Sequence, residues 1–146
     1  MDTLTVAGTL DSLGAIRDFV DRAAAAAGLE RRSGYRLRLA VDEIATNIVN
    51  YGYERAQQRG DIRLRAAVDE AWLTIALEDT SPAYDPTAAE PPDNLDDPLE
   101  ERPIGGLGIF LTLRGVDEFR YEHRDGCNVN TLAMRRPTPP SPAASS

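Results

Sequence analysis

Residues 37–53 read LRLAVDEIATNIVNYGY. Leu37, Val41, Ile44 and Ile48 recur at helical spacing, which predicts a helix with one apolar stripe turned toward a core. Ser33 is the expected N-cap of a helix running from about Gly34 to Tyr51, with Gly52 ending it. Glu43, Asn47 and Asn50 follow one another at i, i+4 and i+7, so on a regular helix they form a line roughly 110° around from the centre of the stripe. A carboxylate and a carboxamide on successive turns suit two jobs. The amide oxygen fits a hard cation such as Mg²⁺, which keeps waters and phosphate oxygens as its other ligands. The carboxylate can orient or deprotonate a hydroxyl or a water. The same spacing also describes the solvated border of an ordinary amphipathic helix, so by itself it leaves both readings open.

Outward from this helix, Thr3–Gly8 alternates weakly and reads as a first strand. Asp11 or Ser12 is placed to cap a helix that carries Leu13, Ile16, Phe19, Val20, Ala23 and Ala24 on one face and ends near Ala27, with Gly28 closing it. Downstream, Asp61–Val68 and Ala71–Glu78 predict a hairpin turned at Asp69–Glu70. Glu118–His123 and Val129–Arg135 predict a second, turned at Asp125-Gly126. Trp72 is expected to anchor the core. Helices covering one face of a mixed, mainly antiparallel sheet give an α+β, two-layer α/β sandwich.

Composition narrows the chemistry. The chain has 146 residues, of which 42% are hydrophobic, enough for the core of one domain. Its 16 basic and 24 acidic side chains give a net charge of -8, a field that disfavours nucleic acid and anionic membranes as partners. Every basic residue is Arg. The absence of Lys excludes a phosphate-loop lysine, the strand lysine of eukaryotic-type protein kinases and Schiff-base chemistry. One Cys and one His, Cys127 and His123, exclude a disulfide and a Cys/His zinc cage. Without an apolar run of about 20 residues, a cytoplasmic location is expected.

Proline divides the chain. None precedes Pro82, a cluster occupies Pro82–Pro103, and the rest fall from Pro137 onward. The first cluster also carries Glu90, Asp93, Asp96, Asp97, Glu100 and Glu101, and reads as a lid over about residues 83–104. The second, at 137–146, reads as a disordered Pro/Ser/Ala tail appended to a domain of residues 1–136. Between them Gly105-Gly106-Leu107-Gly108 precedes a short predicted helix, and a helix N-terminus offers free N–H groups to phosphates. Asp79 ends the apolar strand WLTIALE, where its carboxylate can accept from an amine.

Taken in order, Glu43-xxx-Asn47, Asp79-x-x-Pro82-x-Tyr84-Asp85-Pro86 and Gly105-Gly106-Leu107-Gly108-Ile109 resemble the GHKL ATP-binding superfamily, which has the Bergerat fold. Within it, they resemble the bacterial anti-sigma serine/threonine kinases of the general-stress and sporulation switches. The likeness extends from about Leu4 to Met134 and includes Asp125-Gly126-Cys127-Asn128-Val129. It implies ATP and Mg²⁺ as cofactors, with Glu43 activating the attacking hydroxyl and Asn47 ligating Mg²⁺. It implies that Asp79 accepts from the adenine amino group, with Ser81 beside it. Gly105, Gly106, Leu107 and Gly108 would contact phosphate, and Asn50 and Thr131 would lie near the nucleotide. Arg102 is a candidate γ-phosphate contact. The implied activity is phosphorylation of a small antagonist protein of the STAS type, with a sigma factor as the second partner and a homodimer as the common assembly. The alternative is a nucleotide-binding regulator that sequesters a protein without phosphorylating it. The pattern departs at Ser81, where the family's second box reads Asp-x-Gly. That serine and the acidic lid predict nucleotide binding that is weak and Mg²⁺-dependent.

Overall fold

The computed structural model describes residues 2–83 and 112–137. The elements run β1 (Asp2–Ala7), a 3₁₀ turn (Leu10–Ser12), α1 (Leu13–Ala26), α2 (Arg31–Asn47), a π-helical continuation (Ile48–Glu54), β2 (Asp61–Val68), β3 (Trp72–Asp79), β4 (Glu118–Arg124) and β5 (Cys127–Arg135). The lid, the Gly105–Gly108 box and the tail from residue 138 lie outside the described residues.

The helix ends follow from backbone chemistry. Gly28 adopts φ +72°, the left-handed conformation that costs glycine nothing. Its N–H bonds to Ala25 O at 3.1 Å and the Leu29 N–H to Ala24 O at 3.1 Å, the paired bonds of a Schellman turn that closes α1. No side-chain hydrogen bond caps α1 at Ser12. α2 starts at Arg31, before the expected Ser33 cap. The extended Glu30 (ψ 151°) already feeds the chain into the helix, and Gly34 N–H reaches Glu30 O at 2.9 Å. Gly52 does not end it, because the helix widens to the i→i+5 pattern from Ile48 and continues to Glu54.

Both predicted hairpins form. In the first, Asp69 Oδ1 accepts from the N–H groups of Ala71 at 2.8 Å and Trp72 at 2.7 Å, an Asx-type turn. In the second, Asp125 and Gly126 take φ 56° and 77°, the pair of positive values that a type I′ turn needs. The five strands are antiparallel throughout, in the order β1-β2-β3-β5-β4. β3 and β5 are therefore central, and Asp79 pairs with Asn128 at one end of the ladder while Trp72 pairs with Arg135 at the other.

Both helices cover the same sheet face. Ile16, Val20, Leu37, Val41 and Ile44 pack with Ile62, Leu64, Ile75, Leu77 and Leu132 in one core. Trp72 is not in it; half-buried at the start of β3, its ring lies under the Arg135 guanidinium, 4.8 Å from the centroid. Beyond β5, Arg136 closes the structure by donating from its backbone N–H to Ala71 O at 2.7 Å and from Nε to Ala27 O at 2.9 Å. Among the described residues, no helix is long and apolar enough to cross a membrane.

Tyr53 joins the π-helical segment to the sheet. Its ring is buried, and its hydroxyl donates to Asp61 O at 2.6 Å and accepts from the Thr80 N–H at 2.9 Å. Tyr53→Phe removes both of these hydrogen bonds, at part-buried positions, so a loss of about 0.5–2 kcal/mol is expected. Urea unfolding monitored by circular dichroism checks this, as a fall in midpoint at unchanged m-value.

Candidate functional site

The site grows from the end of β3. Alternation along this strand turns Leu73, Ile75, Leu77 and Asp79 toward the helices. The last position of an apolar face is thus a carboxylate, only 2% exposed. Its Oδ1 accepts from the Ser81 N–H at 3.0 Å, from the Ser81 hydroxyl, and from the Asn128 amide at 3.0 Å. Three donors saturate that oxygen. Oδ2 is buried with no hydrogen-bond partner among the described residues.

Asn128 stands opposite Asp79 on β5 and is buried with it. Its amide nitrogen also reaches Ser81 O at 3.0 Å and Pro82 O at 3.1 Å, and its Oδ1 accepts from the Tyr121 hydroxyl. The turn after β3 is thereby tied to the hairpin β4–β5. The sequence carries no local signal for Asn128 as a site residue, because its place across from Asp79 is set by the long-range pairing of β5 with β3. The same holds for Asn130. It lies two residues further along β5 on the helix-facing side, buried, with Oδ1 unpartnered among the described residues.

Thr131, expected near the nucleotide, points the other way. It pairs with Ala76 and Arg120 and lines a shallow groove with Trp72 and Thr74 on the sheet's outer face. Strand alternation explains the difference, since a shift of one residue exchanges faces.

On α2, Asn47 is buried at 4% exposure, and its amide nitrogen has no partner among the described residues. Glu43 is half-buried one turn earlier. Burial, and then the neighbouring Asp42 carboxylate, push its pKa above the ordinary 4.5. Arg17 Nε binds Asp42 at 2.8 Å and absorbs part of that charge while joining α1 to α2. Asn50 is half-buried and falls in the π-helical segment, where the regular i, i+4, i+7 spacing no longer holds. The same segment brings Gly52 against Ser81. α2's continuation and the end of β3 thus form one corner.

Among the described residues three buried side-chain atoms lack a hydrogen-bond partner (Asn47 Nδ2, Asp79 Oδ2 and Asn130 Oδ1), and each would cost about 1–3 kcal/mol if nothing met it. They are candidates to meet a bound ligand. A free carboxylate oxygen fits an amino group. Among the described residues there is no cluster of three or more His, Cys, Asp or Glu that could hold a metal ion. At Cys127, beside this corner, desolvation first, and then the hydrogen-bonded Glu78 and the nearby Asp79 and Asp125 carboxylates, push the thiol pKa up.

The fold is an α+β two-layer sandwich, and residues 6–135 match the family described as the histidine kinase-like ATPase domain. The chain belongs to that family. It is similar to two curated proteins named serine-protein kinase RsbW. The Bacillus cereus protein is 27% identical over 112 residues and that of Bacillus subtilis 29% over 114, each alignment covering 70% of this chain and 69% of the relative. Among solved structures, it resembles a histidine kinase domain from the blue-light activated histidine kinase of Erythrobacter litoralis. The TM-score is 0.51 at 17% identity, over 85% of this chain and 59% of that one, a likeness of fold.

Proposed function

We propose that this protein is an ATP- and Mg²⁺-dependent protein-serine/threonine kinase of the anti-sigma type, which phosphorylates a small STAS-type antagonist protein and controls a sigma factor by exchanging partners. The observation that carries this reading is the buried Asp79 carboxylate, with one oxygen saturated by protein donors and the other left for an incoming one. The adenine 6-amino group is a donor of that kind. The names of the curated relatives support the step from nucleotide binding to kinase.

In this reading each residue has a separate task. Asp79, paired with Asn128 across the ladder, selects adenine. Asn47 supplies an amide oxygen to Mg²⁺, which when bound neutralises phosphate charge and fixes its geometry. Glu43 accepts the proton of the substrate hydroxyl, and its raised pKa makes it a stronger base than a solvated carboxylate. Gly105, Gly106, Leu107 and Gly108 are proposed as the phosphate-contacting segment and residues 83–104 as its lid, within a domain of residues 1–136. Asn50 is retained as a peripheral nucleotide contact. A homodimer in the cytoplasm completes the proposal.

Incubation of the protein with radiolabelled ATP and a panel of STAS-type proteins tests it. Label on a serine or threonine of one of them, dependent on Mg²⁺, is expected. Nucleotide binding without label on any partner would favour the alternative, a regulator that holds its partner without phosphorylating it.

A further inference from the structure

The corner contains a close approach that none of the assigned tasks uses. Gly52, on the π-helical segment, is buried against Ser81. A Cβ built on Gly52 would lie 2.5 Å from Ser81 Oγ and 2.9 Å from Ser81 Cβ. Only the hydrogen side chain of glycine leaves room for this serine. Nor can the serine turn away at no cost. It is 4% exposed, its hydroxyl donates to Asp79 Oδ1, and it lies 3.3 Å from the Asn128 amide, from which it can accept. The hydroxyl therefore bridges an amide donor and a carboxylate acceptor inside a closed space.

We propose that Ser81 is a positioning residue that holds the Asp79 carboxylate in the orientation recognising the 6-amino group, and that Gly52 is its required steric partner. The inference deepens the adenine-binding reading and rests on it. It also reverses the expectation drawn from the Asp-x-Gly pattern. The space that a glycine at position 81 would give comes instead from position 52, and the serine adds a third donor to Oδ1. That donor locks the carboxylate rotation, so Oδ2 is presented at no further cost in side-chain entropy.

The test is a double-mutant cycle of Gly52→Ala, Ser81→Gly and both together, read in two ways. In ligand-free protein, Gly52→Ala is expected to lower Tm by about 3–10 °C through overpacking, and the double mutant to recover to within about 2 °C of Ser81→Gly alone. By calorimetry with Mg²⁺, Ser81→Gly is expected to bind ATP about 10-fold more weakly. Its affinity for purine riboside triphosphate, which lacks the 6-amino group, should stay within about twofold of wild type, as loss of a specific hydrogen bond predicts. Additive Tm losses would overturn the pairing. ATP bound as tightly by Ser81→Gly as by wild type, or an equal loss for both nucleotides, would overturn the positioning role. If wild type bound neither nucleotide, the adenine reading and the positioning role would fall together, while the Tm cycle would still decide the Gly52–Ser81 pair.

Discussion

Asp79→Asn is expected to lower ATP affinity by about 100- to 1000-fold and to leave the melting temperature nearly unchanged. The two effects separate because the carboxylate oxygens have different partners. An asparagine can set its carbonyl oxygen where Oδ1 stands, keeping the Ser81 and Asn128 donors. Its amide nitrogen then occupies the position of Oδ2. In the proposed complex a donor would face the donor of the 6-amino group, and a site built for one hydrogen-bond polarity rejects the other strongly. Calorimetric titration with Mg²⁺·ATP, paired with a thermal melt of the ligand-free variant, checks both halves. Retained affinity would remove Asp79 from recognition and the proposed function with it.

The second large effect is expected at Glu43. Glu43→Gln should slow phosphoryl transfer by about 10²- to 10⁴-fold, the range of a lost general base, while ATP affinity changes little. The pH dependence has a definite sign. A base works deprotonated, so the wild-type rate should fall on the acid side through the raised pKa of Glu43, at a higher pH than for an ordinary carboxylate. Stability runs in the opposite sense. A carboxyl whose folded pKa is raised favours folding while protonated, and that contribution disappears as pH rises through the folded value. At neutral pH the charged Glu43 thus weighs slightly against the fold. Glu43→Gln should be as stable as wild type or marginally more so, within about 1 kcal/mol. Single-turnover kinetics over a pH series and urea melts at pH 7 measure the two effects. A variant at full rate would leave Glu43 no catalytic part.

Much of this arrangement was legible in the amino acids because short-range rules generate it. Alternation located the strands, the Asp125-Gly126 turn named its own hairpin, and the stripe from Leu37 to Ile48 identified the buried helix. Glu43, Asn47 and Asp79 stood out as polar residues at the margin of apolar patterns, and two of them prove deeply buried. Local expectation and structure differ where a tertiary contact overrides a local preference. Nothing in the composition of residues 48–54 announces a π-helical turn, so Gly52 looked like a terminator, whereas it answers to Ser81 on another element. Thr131 and Asn130 differ by one step of strand parity, which pairing with β3 decides. Asn128 becomes a site residue only once Asp79 stands opposite it, after 48 intervening residues have been folded away.

Arg136 has a practical consequence for all of these measurements. It pins the chain beside Ala71 and Ala27, at the end of the central ladder remote from Asp79 and Asn128. Seven residue steps of extended strand separate the two ends, about 23 Å. A fluorophore or immobilisation handle placed at this anchor, rather than at the end of a long flexible linker, would sit at the end of the ladder opposite the proposed nucleotide corner.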